Sequence, residues 1–174
     1  MTSALTRYLA RMTDNQQQEQ QERVRDLIKD TRIAMLTSIA PDGQLMSKPM
    51  ATQDTDFDGD VYFIAERHSE KVRNITANPR VNVAYAGRSS WVSLSGRAEV
   101  LDDPARLAEL WNSFTDAWLE GGPDNPENVL VRVRADGAEY WDSPGSKVTQ
   151  VANLVKSKLT GRRFEGDNEA VDLG

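Results

Sequence analysis

The chain has 174 residues, enough for one domain with its own core, and sets 21 Lys and Arg against 27 Asp and Glu for a net charge of −6. It has no cysteine and a single histidine, His68, which excludes disulfides, thiol catalysis, cysteine-bound iron–sulfur or zinc centres and any site needing two imidazoles. The acidic balance argues against nucleic acid as the main partner, no apolar run approaches the ~20 residues of a membrane span, and the N-terminus lacks a signal-peptide core, so a soluble cytoplasmic protein is expected.

Residues 1–20 read as a lead, partly helical or frayed, running into five glutamines between 16 and 21. A domain over 21–160 follows. Val24, Leu27 and Ile28 share a helix face that ends near Asp30. The run 33–40 is strand-like, and Pro41-Asp42-Gly43 turns it into a second arm over 44–53. Pro49 inside that arm demotes it to an edge or bulged strand. An acidic turn over 54–60 precedes a largely apolar strand at 61–66. Its aspartates alternate like a calcium loop, but Ala65 stands where such a loop needs Glu, so a plain hairpin turn is expected.

Ser69 predicts an N-cap for a short helix that buries Val72 and Ile75 and stops at Asn78-Pro79. Alternation predicts strands around Val81–Tyr85 and Trp91–Ser95. Asp103-Pro104 starts a helix whose apolar side carries Leu107, Leu110, Trp111, Phe114 and Trp118, with Gly121-Gly122 at its end. Two more strands are expected at Val129–Val133 and at 138–141, then a helix from Pro144 that stops before Gly161. The tail over 161–174 is acidic and expected to be disordered. Six or seven strands in hairpin order, with a short helix after the third, make an antiparallel α+β domain. No glycine-rich dinucleotide or P-loop motif is present.

Chemistry concentrates at 62–79. A strand leads through a short loop into a helix that opens Ser69-Glu70-Lys71. Free N–H groups at a helix start attract anions, and a hydroxyl and an ammonium there make a phosphate cradle; an ordinary capped helix with a surface lysine has the same pattern. Lys48 and Pro49 lie on the strand that a bulge would turn toward a planar ligand, or that Lys and Pro simply blunt as an edge. Trp91 begins a strand face shared with Ser93 and Ser95, which lines a groove or meets water. Trp141 ends another strand, while Trp111 and Trp118 read as core or interface residues. His68 reads as a surface loop residue without a nucleophile to serve.

The segment Phe63-Ile64-Ala65 through Ser69-Glu70-Lys71 to Asn78-Pro79 resembles the flavin-phosphate segment of the pyridoxamine 5'-phosphate oxidase family. Ser-Lys-Pro-Met at 47–50, Trp-Val-Ser-Leu-Ser-Gly at 91–96 and Glu-Tyr-Trp-Asp-Ser-Pro at 139–144 accompany it in the same order, with wording nearest the bacterial general stress protein branch. The resemblance implies a split β-barrel that binds FMN, with FAD possible, at a homodimer interface. It implies flavin contacts from Lys48, Pro49, Met50, Ala51, Ile64 and Ala65, phosphate contacts from Ser69 and Lys71, and Trp91 and Trp141 against the flavin, which a partner chain can supply. Glu70 departs from the family pattern, which has Arg there, and Trp91 replaces a flavin-contacting Gln. On the substrate side Gln53 replaces a lysine, and Lys147 and Thr149 stand where the oxidases have an Arg-x-His pair. Lys147 is left as a weak candidate for substrate or flavin. The resemblance therefore implies a flavin-dependent oxidoreductase on a small substrate, with a nicotinamide nucleotide as donor, but not a pyridoxamine phosphate oxidase. The alternatives are a flavin-binding stress protein without turnover and a deazaflavin-dependent reductase on the same barrel. No metal site is expected, and a single histidine gives haem little to bind.

Overall fold

The computed structural model describes residues 18–142, apart from positions 54 and 56, and a strand at 167–172. Helix α1 covers 18–28 and buries Val24 and Ile28. Strands β1 (Ile33–Ile39) and β2 (Leu45–Ala51) form the expected hairpin, with Gly43 at φ +86° completing the turn. Strand β3 (Asp60–Glu66) leads to helix α2 (Glu70–Ala77). Strands β4 (Arg80–Ala86) and β5 (Ser90–Leu101) follow, then helices α3 (Pro104–Leu110) and α4 (Ser113–Asp116). Strand β6 runs over Asn128–Asp142 and β7 over Asp167–Asp172.

Every strand pairing is antiparallel, in the order β2-β1-β4-β5-β6-β3 with β7 on β6. The two ends of this path, β2 and β3, touch, so the sheet curls into a split β-barrel. The strand order is not a simple run of hairpins: β3 leaves β2 and pairs with β6 along its whole length. Period-two alternation turns Leu36, Phe63, Val83, Leu94, Val131 and Val133 into the barrel, where all are almost fully buried. Each such side chain contributes roughly 1.5–3 kcal/mol of burial. A second, smaller cluster of Ile64, Leu107, Leu110 and Leu130 seats α3 against the outside of β3 and β6.

One expectation is decided between its two alternatives and three change. Pro49 does mark an edge strand, but β2 keeps an unbroken register with β1, and the sheet's bulge falls instead in β6, opposite Ser95 and Gly96 of β5. The long helix after Asp103 is two short ones, because the Asn112 side chain accepts hydrogen bonds from the Phe114 and Thr115 amides and starts a new helix. The two strands expected after residue 128 are one, β6. Residues 167–172 of the acidic tail form β7 because the half of β6 from Gly137 to Asp142 lies beyond the reach of β3 and leaves an edge to pair. The helix expected from Pro144 lies outside the described residues, as do Asp54 and Asp56. No metal-ligand cluster occurs among the described residues, and none of their helices is long and apolar enough to cross a membrane.

Candidate flavin-nucleotide cleft

Helix α2 is fixed to the barrel before it offers any chemistry. Val72 and Ile75 join the core. Buried Asn74 donates through Nδ2 to the Ser38 hydroxyl of β1 at 3.2 Å, so the helix is locked to one strand by a satisfied polar pair. The loop ahead of it is pinned by Arg67, which donates to the Pro126 carbonyl at 2.9 Å and pairs with Asp102 at 3.0 Å. Arg73 reaches back to the His68 carbonyl. His68 itself points outward, 3.5 Å from Glu127.

Ser69 holds the N-cap position with extended backbone, yet its hydroxyl makes no capping bond. That oxygen is buried and has no hydrogen-bond partner. A buried hydroxyl left without a partner is costly, about 1–3 kcal/mol, and one placed at a helix start marks a place for an acceptor or anion. Lys71, in the first turn, is half-buried. Burial pushes its ammonium below the usual lysine range, Glu66 draws it back up, and Lys48 pushes it down again.

Beside this helix start lies a cleft of about 210 Å³. Pro49, Met50 and Ala51 of β2 and Ile64 of β3 form an apolar wall; Glu66 and Lys71 stand at the α2 end. Trp118 and Leu119, just after α4, form the opposite rim. Trp118 is 70% exposed, with its ring 6.3 Å from Phe114. Of the two readings of its helical spacing, core or interface, the exposure removes the first. Ile33, Gln53 and Thr115 complete the lining. The Gln53 amide is occupied: its oxygen accepts from Asn112 Nδ2 at 3.0 Å, and its nitrogen faces the Thr115 hydroxyl at 3.5 Å. It fastens the start of α4 to the end of β2.

The structure thus gathers Pro49, Met50, Ala51, Ile64 and Lys71 around one cleft, with Ser69 beside Lys71. Ala65 lies buried behind the wall and does not reach it. Lys48 is not free, since its Nζ sits 3.1 Å from the Glu70 carboxylate. Trp91 and Trp141 face each other directly across β5 and β6, on the outer face of the sheet and several strands from β2. Both are exposed, at 46% and 38%. Within one chain they do not join the cleft. Lys147 lies outside the described residues. The α4 rim is the part the sequence does not reveal, because an aromatic residue at helical spacing reads the same whether it meets core or cleft.

Comparison with known proteins bears on the family and the fold. The family model for pyridoxamine 5'-phosphate oxidase like proteins covers residues 19–165. The protein bli-3 of Neurospora crassa is 27% identical over 139 residues, covering 74% of this chain and 66% of that protein's own length. A chain assigned as general stress protein 26 from Jannaschia sp. CCS1 superposes with a TM-score of 0.70 at 25% identity, covering 84% of this chain and 94% of its own. The general stress FMN/FAD binding protein of Xanthomonas citri superposes with a TM-score of 0.62 at 29% identity, covering 74% and 92%. With a matching split barrel and a family model spanning most of its length, the chain belongs to the pyridoxamine 5'-phosphate oxidase like family.

Proposed function

We propose that this protein binds a flavin nucleotide, FMN or FAD, in the cleft between β2 and the start of α2. The observation that carries this reading is the buried, partnerless hydroxyl of Ser69 beside half-buried Lys71 at a helix start. Ser69, Lys71 and the first amides of α2 would hold the phosphate. Pro49, Met50, Ala51 and Ile64 would bear on the ring system. The similarity to the FMN/FAD binding protein of Xanthomonas citri supports the same reading.

Pro49, Met35 and Ala84 lie in one row across β2, β1 and β4, and Ala86, Trp91 and Trp141 in another across β4, β5 and β6. Met35, Trp91 and Trp141 are all exposed. Together on one sheet face they suit a second copy of the chain, and the homodimer would bring the partner's tryptophans to the flavin.

When bound, the flavin supplies the redox chemistry, and the chain's own residues bind it, orient it and shield it from water. The fuller reading is a cytoplasmic flavin-dependent oxidoreductase acting on a small substrate, with a nicotinamide nucleotide as donor. A second reading, a flavin-holding stress protein without turnover, is favoured by Gln53, whose amide oxygen accepts from Asn112 and so ties the side chain to the start of α4.

The test is the absorbance spectrum of the purified protein before and after FMN addition and desalting. Retained flavin absorbance is expected, and the double variant S69A/K71A should lose it. Unchanged affinity in that variant would remove the phosphate assignment. Anaerobic NADH or NADPH then separates the two readings: bleaching supports the oxidoreductase, and a flavin that stays oxidised supports the binder.

A further inference from the structure

Glu70 is the first residue of α2, in the turn whose free amides would meet an anion. Its carboxylate holds the Lys48 ammonium at 3.1 Å. The charged groups that face one another here are Lys48 from β2, Glu66 from the end of β3, and Glu70 and Lys71 from α2. These two cations and two carboxylates cancel, and Arg73, whose guanidinium donates to the His68 carbonyl just ahead of the helix, adds one positive charge. Lys48 is held by Glu70, so it is Lys71 and Arg73 that no carboxylate holds within salt-bridge distance among the described residues.

This arrangement does not treat all phosphates alike. A phosphomonoester carries about 1.5–2 negative charges on one phosphorus near neutral pH. A diester or pyrophosphate carries about one per phosphorus. Repulsion by Glu70 scales with the charge on the nearest phosphorus, so it falls harder on the monoester. The same carboxylate also keeps Lys48 away from the phosphate, and the monoester gains more from a second cation than the diester does.

We propose that Glu70 is a specificity-determining residue that weakens FMN relative to FAD, and so makes the dinucleotide an effective ligand of this cleft. The proposal rests on the phosphate site described above. It assigns to one side chain the balance between two flavins that share a ring.

Equilibrium titration of the full-length apo protein with FMN, FAD and riboflavin, at one pH and one salt concentration, tests it. E70Q is expected to tighten FMN by about tenfold and FAD by about threefold or less, as expected for charges meeting at a partly solvated site. Riboflavin, which has no phosphate, should not respond. E70D keeps the charge and should leave the FMN-to-FAD ratio near that of the parent protein. Equal tightening of FMN and FAD in E70Q, or weaker FMN binding, overturns the role of Glu70. The underlying site fails in a different way: if K71M leaves FMN affinity unchanged, or if the parent protein binds none of the three flavins, the phosphate reading falls and this inference with it.

Discussion

Lys71 is a cation placed where water is scarce, and its titration follows from that. Burial favours the neutral amine, so its folded-state pKa lies below the unfolded value. The unfolded chain then binds this proton more tightly than the folded one. The resulting penalty is present in full below the folded pKa and fades as pH rises toward the ordinary value of 10.5. A bound phosphate acts oppositely, because it stabilises the charged form. Flavin-nucleotide affinity should therefore fall with rising pH from below the ordinary lysine range, and K71M should flatten the profile; titrations at stepped pH measure both. A decline that starts only above ~10.4 would place Lys71 outside the phosphate site. At this scale the sequence is informative where the signal is local. Ser69 and Lys71 belong to one helix start, and helix starts are written in consecutive residues. The Lys48–Glu70 pair joins β2 to α2, and no local pattern announces which strand residue will lie beside which helix residue.

At the level of single elements, the pairing of β5 with β6 turns on a glycine. Ser95 pairs with Gly137 and Gly96 with Ala135, so Asp136 of β6 is the extra residue and the bulge belongs to β6. A Cβ on Gly96 would collide with the Arg134 carbonyl oxygen and lie 2.9 Å from Ala135 Cα. Both obstacles are backbone atoms of β6, which cannot step aside. Gly96→Ala is expected to cost about 3 kcal/mol, read as a lower denaturation midpoint at unchanged m-value. A loss under ~0.5 kcal/mol would mean that the two strands separate easily at the bulge. Alternation announces β4 and the first half of β6, where Val81, Val83 and Tyr85, and Val129, Val131 and Val133, are the inward residues. β1 and β3 read as strands from their apolar content instead, because Ile33, Met35, Tyr62 and Ile64 stand at the outward positions. The break between α3 and α4 is hidden. Trp111, Phe114 and Trp118 keep helical spacing through it, and only Asn112 signals a cap. β7 is hidden for another reason: its acidic composition resembles a solvated tail, and its pairing depends on an edge that β6 leaves open elsewhere in the fold.

Across the whole molecule, the candidate flavin contacts fall into two groups that one chain keeps apart. Pro49, Met50, Ala51, Ile64 and Lys71 surround the cleft, whereas Trp91 and Trp141 sit together on the outer sheet face. If two copies pair through that face, each site takes its phosphate-binding residues from one chain and its tryptophans from the other. Complementation separates this arrangement from a site contained in one chain. K71M removes the phosphate cation, and W141A removes a ring from the other side. Each homodimer then has two defective sites. A mixed dimer has one site carrying both defects, and one that combines Lys71 from the W141A chain with Trp141 from the K71M chain. That second site is intact. After subunit exchange, random pairing should restore tight flavin binding at about one quarter of all sites. The restored fraction appears as flavin absorbance retained after desalting of the mixture, and not of either variant alone. No recovery, under conditions where tagged subunits demonstrably exchange, would assign the tryptophans to their own chain or remove them from the site. Two signals that the sequence presents as equal, a helix start and a pair of tryptophans, would then differ in kind, because only the first is complete within a single barrel.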